Sequence, residues 1–127
     1  MERLLWICLA GALGTGARYL VSLWAVQRFG IAFPYGTLIV NVTGCFLIAL
    51  IIQLALSIAT FPPNLRLALT TGFLGGFTTY SSFNYETTKL LHDGTPGIGL
   101  LNFAATVVLS FSAGWLGLWL ARSLTGS

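Results

Sequence analysis

The chain has 127 residues, 56% of them hydrophobic and only 7% charged, with a mean hydropathy of +0.87 and a net charge of +3. Soluble domains carry about 25% charged residues and disordered chains need low hydrophobicity with high charge, so both classes are excluded. The six basic residues (Arg3, Arg18, Arg28, Arg66, Lys89, Arg122) are scattered singly, which argues against a nucleic-acid partner and for a lipid bilayer around the chain.

A spanning helix needs about 20 largely apolar residues. Four stretches of that kind occur, at 4–26, 35–60, 65–91 and 97–121, separated by Pro34, by Pro62 and Pro63, and by the run from His92 to Pro96. The expected fold is an all-α integral membrane protein, with four transmembrane helices forming a single domain over 1–127. The first stretch reads as a retained helix, because its apolar run is long and no small-residue cleavage site leads into a soluble domain.

In the first span, Ala10, Gly14 and Arg18 recur every four residues on one helix face, a spacing of small residues that lets backbones meet. Arg18 lies at depth, where a charge must snorkel, pair or face water. It reads either as a structural anchor or as part of an electropositive vestibule. Cys8 and Cys45 lie in apolar runs and are expected to be packed hydrophobes. In the second span, Asn41 sits between Gly36 and Gly44, with Thr37 one turn earlier. Its amide has two roles open to it, as hydrogen-bonding glue between helices or as pore lining.

The third span contains Thr70-Thr71-Gly72-Phe73-Leu74-Gly75-Gly76-Phe77-Thr78-Thr79-Tyr80-Ser81-Ser82-Phe83. Paired glycines followed by Thr-Thr disfavour a continuous helix, so this helix is expected to break near its middle. Backbone groups freed at membrane depth are tolerated only when buried in protein, lining a cavity or holding an ion. Tyr80 and Phe83 follow on one face, and aromatic ring edges carry partial positive charge. Glu86 and Lys89 are spaced as a surface pair. His92, in the turn that follows, has no companions for a metal site. In the fourth span, Asn102, Thr106 and Ser110 form a four-residue repeat, a stripe expected to face a partner or water.

Four spans put both termini and the 60–66 loop on one side, with Arg3, Arg66 and Arg122; Arg28 and Lys89 lie on the other, with Arg18 towards it. This near-balance lacks the usual cytoplasmic excess. It reads as insertion both ways round, or as one orientation that the count does not resolve. Four short helices hardly enclose a polar path, so a homodimer is expected. If both orientations occur, the pair is antiparallel about an axis in the membrane plane.

Three segments together carry a resemblance: Gly11-Ala12-Leu13-Gly14-Thr15-Gly16-Ala17-Arg18-Tyr19, the Gly36-to-Gly44 segment with Asn41, and Gly75-Gly76-Phe77-Thr78-Thr79-Tyr80-Ser81-Ser82-Phe83. The chain resembles the Fluc, or CrcB, family of bacterial fluoride channels over nearly its whole length. The resemblance implies a fluoride-selective channel in the bacterial plasma (inner) membrane that exports cytoplasmic fluoride passively. It also implies an antiparallel dual-topology homodimer with a pair of pores, each built from both subunits. By position, Asn41 is similar to the family's pore asparagine, and Tyr80 and Phe83 occupy the places of its phenylalanine pair. Thr106 and Ser110 resemble its hydroxyl track. Gly75 and Thr78 resemble residues whose backbone carbonyls hold a structural sodium ion (Na+) at the dimer axis. Arg18 and Glu86 also match family positions. One departure stands out, because the first aromatic of the pair is normally Phe and here is Tyr80. Its hydroxyl is expected to preserve selectivity and change the transport rate.

The rival readings are a small four-helix multidrug exporter and a structural membrane subunit. The exporter needs a membrane-embedded carboxylate, for which Glu86 near a span end is the sole candidate. The subunit does not require the break, the asparagine and the stripe together. No nucleophile, base and orienting group can be named for an enzyme.

Overall fold

The computed structural model describes residues 1–127 and contains helices only. They are α1 (Glu2–Phe29), α2 (Tyr35–Ser57), α3 (Pro63–Leu67), a π-helical stretch (Ala68–Leu74), α4 (Gly75–Phe77), α5 (Tyr80–His92) and α6 (Pro96–Thr125). α1, α2 and α6 are long and apolar enough to cross a membrane. The third apolar stretch of the sequence is divided among α3, the π-helical stretch, α4 and α5. α1 runs past 4–26 at both ends, and α2 stops short of residue 60. A helix rises about 1.5 Å per residue against a hydrocarbon core of about 30 Å. The 28 residues of α1 and the 30 of α6 therefore outreach the core, and tilt or protruding ends absorb the excess.

The helix ends follow local chemistry. α1 closes on Gly30, whose φ of 82° and N–H bond to the Val26 carbonyl end the helix in a conformation that glycine adopts freely. Pro96 opens α6 where no N–H partner is needed. Arg3 Nε donates to Asn64 Oδ1 at 2.9 Å, and the Ser57 and Ser127 hydroxyls lie 3.4 Å apart. These contacts gather the N-terminus, the turn after α2 and the C-terminus at one end of the bundle.

α2 packs along α6, α1 along the π-helical stretch, and α5 against α6. Glycine makes the first two approaches possible. A Cβ on Gly117 of α6 would fall on the Phe46 carbonyl of α2, and one on Gly14 of α1 on the Phe73 carbonyl. The apolar centre is small, with Val40, Leu74 and Phe77 buried and Ala17, Val21, Leu47, Ile51 and Phe73 around them. Large apolar side chains point outward instead, including Leu13, Phe111 and Trp115 at about 70% exposure. Such a surface suits lipid or a second copy and is untenable in water. Cys8 belongs to it: expected to be packed, it is exposed on the outer face of α1, whereas Cys45 is half-buried.

Candidate functional site

The backbone between α4 and α5 leaves the helical path. Thr78 (φ −88°, ψ 160°) and Thr79 (φ −154°, ψ 117°) are extended. Low helix propensity at Gly75-Gly76 and the local hydrogen bonding of two β-branched hydroxyl residues favour this conformation. Thr78 Oγ1 donates back to the Leu74 carbonyl at 2.9 Å, beside its own N–H at 3.0 Å. Thr79 caps α5, its Oγ1 accepting from the Ser82 N–H at 3.2 Å.

Two neighbouring helices hold the break in place, one at Thr79 and one at Gly76 just before the extended residues. Asn41 of α2 takes both backbone groups of Thr79: its Oδ1 accepts from the N–H at 2.8 Å and its Nδ2 donates to the carbonyl at 2.9 Å. This is a strand-like pairing made by one side chain, and it leaves the second Nδ2 hydrogen free. Arg18 of α1 donates from Nε to the Gly76 carbonyl at 3.0 Å. Asn41 therefore ties helices together, and it also borders the cavity described next.

A cavity of about 420 Å³ opens at these residues. Asn41 contributes to its wall from α2, Gly75, Thr78 and Thr79 from the break, Tyr80 and Phe83 from α5, and Thr106 and Ser110 from α6, with Ile48, Leu74 and Val107 supplying apolar surface. Phe83 is buried, meeting Tyr80 edge-on (centroids 5.8 Å apart, planes at 70°) and stacking on Phe103 (6.1 Å, 27°). Tyr80 stands at the mouth, 76% exposed. Gly44 lets α2 approach the break, since a Cβ there would collide with the Thr78 methyl group.

The helix-6 stripe divides. Thr106 and Ser110 line the cavity, and the Ser110 Oγ is buried with no hydrogen-bond partner. Asn102 does not line it. Its Nδ2 donates to Thr87 Oγ1 at 2.8 Å, and its Oδ1 accepts from Thr106 Oγ1 at 3.4 Å. Sequence reasoning singled out neither Thr79 as the hub of the break nor Thr87 as the partner of Asn102. A threonine directly before the run Tyr80–His92 was the available signal for the first, as a helix N-cap. Nothing in the spacing marks the second.

The wall holds no charged side chain. The Arg18 guanidinium stands just behind it on the Gly76 carbonyl, and dipoles act at the wall itself. α5 begins at the cavity, so the positive end of that helix faces it. In a continuous helix the Gly75 carbonyl would bond the Thr79 N–H, which goes to Asn41 instead. Thr78 is extended, so its carbonyl also leaves the helical ladder. No group of three His, Cys, Asp or Glu residues is placed to hold a metal ion; a cation at the break would rest on backbone oxygens, which suit a hard ion.

A second cavity, of about 410 Å³, lies towards the far end of α5 and includes Ser22, Thr37, Glu86, Lys89 and Asp93 in its wall. Here Glu86 departs from the expected surface pair. It is half-buried beside α2, its Oε1 enclosed and without a hydrogen-bond partner.

Residues 5–118 match the family described as CrcB-like protein, Camphor Resistance (CrcB). The chain is 53% identical over 124 residues to a fluoride-specific ion channel FluC of Sorangium cellulosum, with 98% of each chain covered. It is 53% identical over 126 residues to the FluC of Anaeromyxobacter sp. (strain K), covering 99% of this chain and 100% of that one. Identity to the FluC of Citrifermentans bemidjiense is 48% over 124 residues, covering 98% and 100%. With a multi-pass helical fold and a match along nearly its whole length, the chain belongs to the CrcB family, a family of membrane ion channels and not of enzymes.

Proposed function

We propose that the protein is a fluoride-selective channel of the bacterial inner membrane, through which cytoplasmic fluoride leaves by passive electrodiffusion and the cell escapes its toxicity. The observation that carries this reading is the cavity at the break, where hydroxyl, amide and aromatic groups converge without a fixed charge. The FluC name of relatives about half identical in sequence supplies the ion.

The physical task is to replace the water around a small, strongly hydrated anion. Ser110 offers a hydroxyl with no other partner, and Asn41 offers its second Nδ2 hydrogen. Phe83 and Tyr80 offer ring edges. The N-terminus of α5 adds a positive dipole, as half-helices do in transporter sites. None of these is a full cationic charge, so the ion is held weakly enough to leave, as conduction requires.

The cavity is walled by one chain on one side only, and the apolar outer faces are as well suited to a second copy as to lipid. The functional unit is an antiparallel homodimer of oppositely inserted copies, with a pair of pores built from both subunits. The residues present fit a hard cation at the dimer axis, because the Gly75 and Thr78 carbonyls stand outside the helical ladder. These two residues would hold a structural sodium ion, which supplies a fixed positive field at the centre. Arg18 and Asn41 keep the surrounding backbone in shape by bonding Gly76 and Thr79.

The test is ion release from liposomes reconstituted with the purified protein, followed with a fluoride electrode after a potassium ionophore shunts the voltage, and repeated with chloride. Rapid fluoride release with chloride retained is expected. Absence of fluoride release from a folded dimer, or release of both ions alike, contradicts the reading.

A further inference from the structure

Resting on the reading of the break cavity as a fluoride path, we propose that Asn102 is a positioning residue that sets how tightly Thr106 binds the passing ion. Asn102 is 1% exposed and stands behind the cavity wall. Its donation to Thr87 Oγ1 at 2.8 Å fixes the amide, so that Oδ1 is turned to Thr106. The Thr106 hydroxyl donates to that oxygen at 3.4 Å.

A hydroxyl has one proton to give. In the resting protein the Thr106 proton points away from the cavity, towards the amide, and the cavity sees only oxygen lone pairs. An anion at Thr106 must draw the proton across. The bond it replaces is long against the usual O–H···O distance of about 2.7–2.8 Å, so the exchange is cheap but not free. When the ion moves on, the proton returns to Asn102. Ser110, one turn further along α6, has no such competing acceptor. The two hydroxyls thus differ in strength: Ser110 is an unrestrained donor, and Thr106 is one whose affinity Asn102 holds down. Ions that must leave as readily as they enter benefit from that restraint.

The experiment is channel conductance against fluoride concentration in planar bilayers, read as half-saturating concentration and maximum separately. Asn102→Leu keeps the branched shape of the amide but accepts no proton. It is expected to lower the half-saturating concentration about threefold, the scale of one modest hydrogen bond, and to lower the maximum conductance with it. In a Thr106→Val background the same substitution is expected to leave half-saturation unmoved. Thr87→Val serves as the second variant. It removes the anchor of the amide at nearly constant volume and is expected to shift half-saturation the same way by a smaller factor. A purely structural role for Asn102 predicts lost folded dimer with unshifted half-saturation in the surviving channels, or a shift that persists without the Thr106 hydroxyl. Either result overturns the proposal while leaving the channel reading intact. Wild-type protein that passes no fluoride defeats that reading and this inference together.

Discussion

The Thr79 peptide is paired on both sides by one amide, and much of the site depends on that arrangement. Asn41→Leu leaves the Thr79 N–H without a partner at membrane depth and removes one of the two bonds open to its carbonyl, which as the N-cap carbonyl also accepts the first bond of α5. An unsatisfied buried group costs about 1–3 kcal/mol, so a loss of stability of about that size is expected, visible as a lower unfolding temperature of the detergent-solubilised protein; an unchanged temperature would mean that another group pairs the Thr79 N–H. Tyr80 makes a different kind of contribution. Its ring meets Phe83 edge-on at the cavity mouth, and its hydroxyl adds a donor that a Phe at this place would lack. A donor that holds the ion longer slows its exit. Tyr80→Phe is therefore expected to raise fluoride flux severalfold while chloride stays excluded, and equal flux from the two proteins would remove the hydroxyl from the account. Both residues were legible in the sequence as polar or aromatic groups beside a helix break. The partner of Asn41 was not, because a backbone group donates and accepts alike in every residue and becomes visible only once the chain leaves the helix.

At the scale of elements, close approach through glycine sets the spacing of the bundle. A Cβ on Gly117 would lie against the Phe46 backbone carbonyl, which has no rotamer to move. Gly117→Ala is expected to force α2 and α6 apart at a cost of about 1–3 kcal/mol, as overpacking does. Gly97→Ala, on the same helix with nothing within 4 Å of the added atom, is the control and should leave unfolding unchanged. Backbone propensity favours Ala over Gly in a helix, so similar losses from both would take the effect away from the α2–α6 contact. The extended segment at Thr78 and Thr79 follows from a Gly-Gly-Phe-Thr-Thr run whose local preferences oppose a helix. The π-helical stretch Ala68–Leu74 was not legible, since no residue pattern separates a π-helical turn from an α-helical one. The helix-6 stripe shows where a periodicity argument ends. Four residues advance a helix by about 400°, so each step of the repeat turns by about 40°. Across Asn102, Thr106 and Ser110 that drift carries the first residue out of the cavity wall and onto α5, where Thr87 meets it.

At the scale of the molecule, an apolar exterior and nearly balanced charge act together. Leu13, Phe111 and Trp115 face outward, and the basic residues divide between the two ends without a clear excess. Such a chain has little to fix its orientation, and the proposed antiparallel pair needs copies of both kinds. Two lysines added in the turn between α5 and α6 are expected to drive insertion one way and to reduce fluoride flux per unit of protein. A cysteine introduced at Gly94, labelled from each side of the membrane, reports the orientation: labelling from both sides is expected before the lysines are added and from one side after. If fluoride passes the break cavity, it passes Phe83, whose ring is buried in that wall and forms no hydrogen bond on which the fold depends. The measurement is fluoride efflux from liposomes carrying Phe83→Leu as a folded dimer, beside the unsubstituted protein. Loss of the ring edges while apolar bulk is retained should slow fluoride at least about tenfold, the effect of roughly 1.4 kcal/mol at the barrier, whereas efflux equal to that of the unsubstituted protein would mean that the ion takes another path.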